Sequence, residues 1–177
     1  MKTCLVVTLT CPDRPGIVDR ITKVIADSSA NWEESRMAHL GGEFAGIVKL
    51  SVPEHEAEAV AAALRALADE EMTVAVKITH PEASAPTAGY FLRELRLKGA
   101  DHEGIVHKVA HYLAEHGINV ETMETEVIPA PISAIPLFQM TAQIKVPPGV
   151  SLSELAENLE LIGHELGVDI EVAPIRA

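Results

Sequence analysis

The chain repeats itself. Asp13, Gly16, Ile17, Val18, Asn31 and Glu33 are matched by Asp101, Gly104, Ile105, Val106, Asn119 and Glu121, each 88 residues later and with no gap needed. The repeat is partial, since Lys23 falls opposite His111. Self-similarity at a fixed period marks copies of one supersecondary unit. In a chain of 177 residues it leaves room for two small domains and little else.

The local patterns agree with that division. The first copy reads strand (3–10), helix (15–29), strand (32–40), strand (43–52), helix (54–70), strand (73–79). Residues Leu5 to Thr10 are rich in β-branched types, as strands are. Ile17, Ile21, Val24 and Ile25 recur at helical spacing, as do Val60, Ala61, Leu64 and Leu67. Gly41-Gly42 between the middle strands signals a hairpin. The second copy reads strand (91–98), helix (103–116), strand (119–128), strand (137–146), a helix opened by Ser151, and a last strand with Val168, Ile170 and Val172 alternating. Ser151 with Glu154 forms a capping box, and Gly167 suits a helix C-terminus. Between the copies, His80 to Thr87 breaks both periodicities and is rich in Pro, Ala and Ser. The expected division is residues 1–80, a linker at 81–87, and residues 88–177. Each βαββαβ copy predicts an α+β, ferredoxin-like fold, an antiparallel four-stranded sheet with two helices on one face. Aromatics make up only 3% of residues while 47% are apolar, so the cores must be aliphatic.

One stretch carries most of the chemistry. Asp13-Arg14-Pro15-Gly16-Ile17-Val18 joins the first strand to the first helix. Asp13 is an N-cap type residue, and Pro15 loses no hydrogen bond at a helix start. Gly16 has no Cβ, so a second chain or a small ligand could approach its backbone. Free N–H groups at a helix N-terminus attract carboxylates. The same residues also describe an ordinary strand-to-helix turn, and both readings stand at this point.

Other chemistries are poorly served. The net charge of −12 argues against phosphate contact with nucleic acid and against an anionic membrane surface. Cys4 and Cys11 lie near opposite ends of one strand, too far apart to pair, and match no metal or redox spacing. They suit a reducing, cytoplasmic compartment. No signal peptide or apolar spanning run is read. There is no Gly-x-Ser-x-Gly, no Walker loop and no Gly-x-Gly-x-x-Gly, so no catalytic residue, cofactor or enzyme activity is assigned. His107 and His111 share a helix face, but His102-Glu103 with His107 is one residue too long for a zincin pattern. That face lies away from the Val106–Val109–Leu113 stripe, so it should be solvated, and no metal site is assigned. Trp32, the only tryptophan, should pack at the start of its strand.

The Asp-x-Pro-Gly-Ile-Val turn after a first strand, followed by Asn at the start of the second, resembles the ACT domain, and two copies cover nearly the whole chain. The arrangement is most similar to the glycine cleavage system transcriptional repressor family of tandem ACT domains. Ala130-Pro131-Ile132-Ser133-Ala134-Ile135-Pro136-Leu137-Phe138 resembles that family's Pro-x-Ser-Gly-x-Pro-Leu-Phe loop, with Ala134 where Gly is usual.

The resemblance implies a regulator rather than an enzyme. ACT domains commonly pair, as homo-oligomers, and bind amino acids where the loop after the first strand meets a neighbouring sheet. The repressor family is associated with glycine sensing and with restraining a LysR-type activator by protein contact. Carried over by position, the ligand-binding residues would be Asp13, Gly16, Ile17 and Asn31, with Asp101, Gly104, Ile105 and Asn119 in the second copy. The Asp carboxylates would face a ligand ammonium, the Gly and Ile N–H groups its carboxylate, and the Asn amides would reach it from the second strand. His102-Glu103 replaces Arg14-Pro15 in the second copy, setting a carboxylate beside the anion seat, so the first copy is the better candidate. Two alternatives accompany this reading: a ligand-free oligomerisation or docking module, and the regulatory subunit of an amino-acid metabolic enzyme.

Overall fold

The computed structural model describes residues 1–79, 89–129 and 135–175. The chain divides into two compact units, Met1–Pro86 and Thr87–Ala177. The linker expected at 81–87 and residues 130–134 of the Pro-rich loop lie outside the described residues.

The first unit runs β1 (Lys2–Pro12), α1 (Ile17–Ala26), β2 (Asn31–Leu40), β3 (Glu43–Pro53), a 3-10 turn (Glu54–Glu56), α2 (Ala57–Arg65) and β4 (Thr73–Thr79). The second runs β5 (Phe91–Ala100), α3 (Ile105–Glu115), β6 (Asn119–Ile128), β7 (Leu137–Val146), α4 (Leu152–Leu166) and β8 (Val168–Pro174). The sheets have strand orders β2-β3-β1-β4 and β6-β7-β5-β8. Every described neighbouring pair is antiparallel. Both units are ferredoxin-like, and the fold is α+β.

The core lies on one face of each sheet. Leu5, Val7, Leu9 and Cys11 alternate along β1 into the same cluster as Val48, Leu50 and Val52 of β3. Ile17, Ile21 and Ile25 of α1, with Val60, Ala61 and Leu64 of α2, close over them at helical spacing. Trp32 packs at the edge of this cluster, as its place at the start of a strand suggested. The second unit repeats the plan with Leu95, Leu97, Ile144, Ile105, Val109, Leu113, Leu155 and Leu159. Two glycines let α4 and β5 close on β8. A Cβ on Gly163 would lie 2.6 Å from the Val168 carbonyl oxygen, and one on Gly99 would lie 2.7 Å from the Val168 Cα.

The turns follow from local chemistry. Gly41 and Gly42 both have positive φ, at 61° and 86°, as a two-residue hairpin requires. Ser151 Oγ accepts the Glu154 N–H at 3.4 Å, and Gly167 ends α4 in the left-handed region.

Three helices have other bounds than the sequence reading gave them. The first helix starts at Ile17, not Pro15, because Gly16 at φ 94° is left-handed and cannot be inside an α-helix. Asp13 is therefore not its N-cap; Gly16 is, without any side-chain cap. The helix expected over 54–70 opens as a 3-10 turn and stops at Arg65. Tight bonds from Leu67 N–H to the Leu64 carbonyl and from Ala68 N–H to the Arg65 carbonyl wind it off, and Asp69 captures the next donors. The helix expected over 103–116 is Ile105–Glu115, again opened by a left-handed glycine. Cys4 and Cys11 are buried and free. No helix of the described residues is long and apolar enough to cross a membrane.

Candidate functional site

The loop between β1 and α1 is pinned by its main chain. Asp13 N–H donates to the Gly42 carbonyl oxygen at 2.9 Å, which fastens the loop to the β2–β3 hairpin. The left-handed Gly16 then turns the chain into α1, and its carbonyl accepts the Arg20 N–H at 3.1 Å. No side chain caps the helix. The first amides of α1 therefore keep their pull on an anion. Nothing lies within 4 Å of where a Gly16 Cβ would be, so glycine is needed there for its φ and the space above it is open.

Charged side chains surround this loop. The Asp13 carboxylate lies 3.8 Å from the His39 imidazole. Arg14 reaches Glu71 at 2.6 Å. Arg20 donates to the Leu67 carbonyl and to the Asp69 carboxylate, both at 3.2 Å. Asp69 also accepts the Glu71 and Met72 N–H groups, at 2.9 and 2.8 Å. These backbone donors, with Arg20 adding to them, hold the Asp69 carboxyl below its ordinary pKa. Cys11 lies just before the loop, and burial pushes its thiol pKa up, so it stays protonated and unreactive.

The second copy repeats the frame with different chemistry. Asp101 N–H donates to the Pro136 carbonyl oxygen at 2.9 Å, and Gly104 at φ 91° opens α3 without a side-chain cap. His102 stands in register with Arg14 and contacts the Leu166 carbonyl oxygen. Lys108 stands in register with Arg20 and pairs with Glu165. In both copies two basic residues tie the first loop and helix to the segment that ends the second helix. The sequence reading missed these ties. The signal was available: residues 14 and 102, and 20 and 108, are basic at the repeat spacing.

The asparagines lie elsewhere. Asn31 pairs in register with Ser51, whereas the loop leaves β1 beside Glu43. Those β3 residues are eight positions apart, roughly 26 Å along a strand. Within one unit, then, Asp13, Gly16 and Ile17 are together and Asn31 is at the far end of the sheet. The second unit separates Asn119 from Asp101, Gly104 and Ile105 in the same way.

Each asparagine is followed by a bulge. Register shifts between Trp32 and Glu34 and between Val120 and Thr122 leave Glu33 and Glu121 as the extra residues. The Asn119 amide donates to Glu121 at 2.7 Å. In the first copy Glu33 is instead drawn to Lys49 at 3.0 Å. The hydrogen bond to Lys49, helped by Ser51, lowers the Glu33 carboxyl pKa. Among the described residues, nothing holds the Asn31 amide.

His107 and His111 are exposed with rings stacked 6.0 Å apart, and His111 faces Glu115 at 3.4 Å. Among the described residues no group of three His, Cys, Asp or Glu could hold a metal ion. A cleft of about 350 Å³ opens on the second sheet, lined by Arg96, Lys98, Gln139, Thr141, Asp169 and Glu171. Its charges are mixed, and it contains none of the residues read as ligand-binding.

The ACT-domain family model matches residues 3–78. A UPF0237 protein of Methanopyrus kandleri is 35% identical over 74 residues, covering 42% of this chain and 77% of that protein. The glycine cleavage system transcriptional repressor of Escherichia coli (strain K12) is 49% identical over 47 residues. That match spans 27% of this chain and only 25% of the repressor. The crystal structure of an unknown protein from Galdieria sulphuraria superposes with a TM-score of 0.87 at 32% identity, covering 99% of this chain and all of that one.

Proposed function

The chain belongs to the ACT-domain family, and on that premise we propose that it is a non-enzymatic regulator that binds a small α-amino acid at the Asp13–Ile17 loop. One observation carries the reading: an uncapped helix N-terminus with open space above Gly16 and a carboxylate three residues upstream. The Gly16 and Ile17 amides receive the ligand carboxylate, and Asp13 receives its ammonium group. Asp101, Gly104 and Ile105 form the second, weaker seat.

Within its own unit neither asparagine reaches such a site, so its amide contact has to come from outside that unit. We take it from a second copy of the chain, which brings its own β2 start to the loop and makes the protein a homo-oligomer. β2, an exposed edge strand, is available for it. Glycine as the ligand, and a LysR-type activator as the protein restrained, follow from the similarity to the repressor. The acidic charge fits a protein that acts by protein contact.

The test is thermal melting with glycine, alanine, serine and larger amino acids added singly at millimolar concentration. A ligand selective for the folded state raises the midpoint. A midpoint unmoved by every amino acid contradicts the reading.

A docking module without ligand is the second reading. Val120, Met123 and Val127 favour it, being 37%, 49% and 53% exposed along the edge strand β6. Self-association unaffected by any amino acid is the result that selects it.

A further inference from the structure

His102 has a carbonyl oxygen at each ring nitrogen. Nδ1 lies 2.9 Å from the Glu103 oxygen and Nε2 lies 2.7 Å from the Leu166 oxygen. Carbonyl oxygens only accept, so both contacts are hydrogen bonds only when both nitrogens carry a proton. Neutral imidazole has a single N–H and leaves one nitrogen lone pair facing an oxygen lone pair. The geometry selects the imidazolium. Leu166 is the last residue of α4, where carbonyls lack helical partners and the helix dipole favours a cation.

We propose that His102 is a proton-operated latch, holding the Asp101–Gly104 loop firmly on the C-terminal end of α4 while charged and loosening it when neutral, when only one ring nitrogen can donate. The proposal rests on the reading of that loop as a ligand seat and adds its regulation. Arg14 fills the same position in the first copy and pairs with Glu71. A guanidinium stays charged throughout the physiological range. The first loop's tie thus depends on no histidine proton, whereas the second is complete only with His102 charged.

The charged groups on the ring's own loop and on the elements that meet or follow it are Asp101 and Glu103, Lys108 of α3, His164 and Glu165 of the last turn of α4, and Asp169 near the start of β8. Lys108 and Glu165 are paired and join α3 to α4 independently of His102. That pair does not involve His102, so proton loss at His102 loosens the loop without separating the helices. The Glu103 and Leu166 carbonyls raise the His102 pKa, Asp101 adds to that, and burial opposes it. A raised folded-state value means the tie is complete below the ordinary histidine pKa and weakens as pH rises through the folded one.

The test is an NMR pH titration of the full chain without added amino acid, in wild type, H102Q and H102R. The His102 ring is expected to titrate above the ordinary histidine value of about 6.5. Hydrogen exchange at Gly104 and Ile105, corrected for intrinsic pH dependence, is expected to step up through that titration in wild type. H102Q should show no step, and H102R should stay protected throughout. A ring that titrates at or below the ordinary value, or exchange profiles that coincide in wild type and H102Q, overturns the latch. No amino acid is present, so failure here is distinct from failure of the ligand reading, which melting shifts decide.

Discussion

The Asp13 N–H donates to the Gly42 carbonyl oxygen at 2.9 Å, and 88 residues later Asp101 makes the same bond to Pro136 at the same distance. The hairpins that supply the acceptors differ in length, yet the bond recurs. A main-chain bond fastens each loop over the end of its sheet without using the side chains at 13 and 101.

Asp13→Ala should therefore spare the fold. The carboxylate has only a 3.8 Å contact with His39, and both side chains are substantially exposed. The melting midpoint of the unliganded variant is expected within about 2 °C of wild type. A larger drop would assign Asp13 a structural role.

Gly16→Ala should not be so mild. The position sits at φ 94°, which costs a residue with a Cβ about 1–2 kcal/mol despite the open space around it. Gly149 has no positive φ, and nothing lies within 4 Å of where its Cβ would stand, so Gly149→Ala is the neutral control. Urea unfolding of the two variants checks the contrast.

Packing sets a different limit at Gly163. A methyl group there would meet the Val168 carbonyl oxygen at 2.6 Å, and backbone cannot swing away as a side chain can. Gly163→Ala is expected to destabilise the chain by about 2 kcal/mol or more, measured by urea unfolding.

Acid should weaken the first loop's support. The Glu71 and Met72 amides, with Arg20, hold the Asp69 carboxyl below its ordinary value. The sign follows: this stabilisation is complete above the unfolded value of about 3.9 and is lost as pH falls through the lower folded value. Asp69→Ala should melt below wild type at pH 7, and the gap should close as pH falls below about 4. A gap that persists in strong acid would trace the defect to something other than the charge.

The repeat and its periodicities made the element order and fold legible, because Ile17, Ile21, Ile25 and their counterparts serve one face each. The start of α1 was not legible. Asp13 and Pro15 satisfy helix-start rules, while the left-handed turn at Gly16 leaves no periodic trace. The end of α2 was hidden by apolar spacing that runs on to Leu67. The bulges at Glu33 and Glu121 were hidden too, because a charged residue on an edge strand fits either register. The basic ends of the ties, Arg14 and Arg20, were legible at the repeat spacing, but their partners Glu71 and Asp69 lie farther along the chain than local spacing can relate. The distance between Asp13 and Asn31 could have been read: a crossover helix returns the chain to the opposite end of the sheet, so β2 must start far from where β1 stops.

The central claim is that the first loop receives an amino acid through the Gly16 and Ile17 amides and Asp13. The direct measurement is the backbone amide NMR spectrum during a glycine titration, in wild type and Asp13→Ala. The account predicts saturable shifts centred on Gly16 and Ile17 in wild type, strongly weakened in the variant. Amides that stay still at millimolar glycine and at equal alanine and serine, or shifts that persist undiminished without the Asp13 carboxylate, would contradict it.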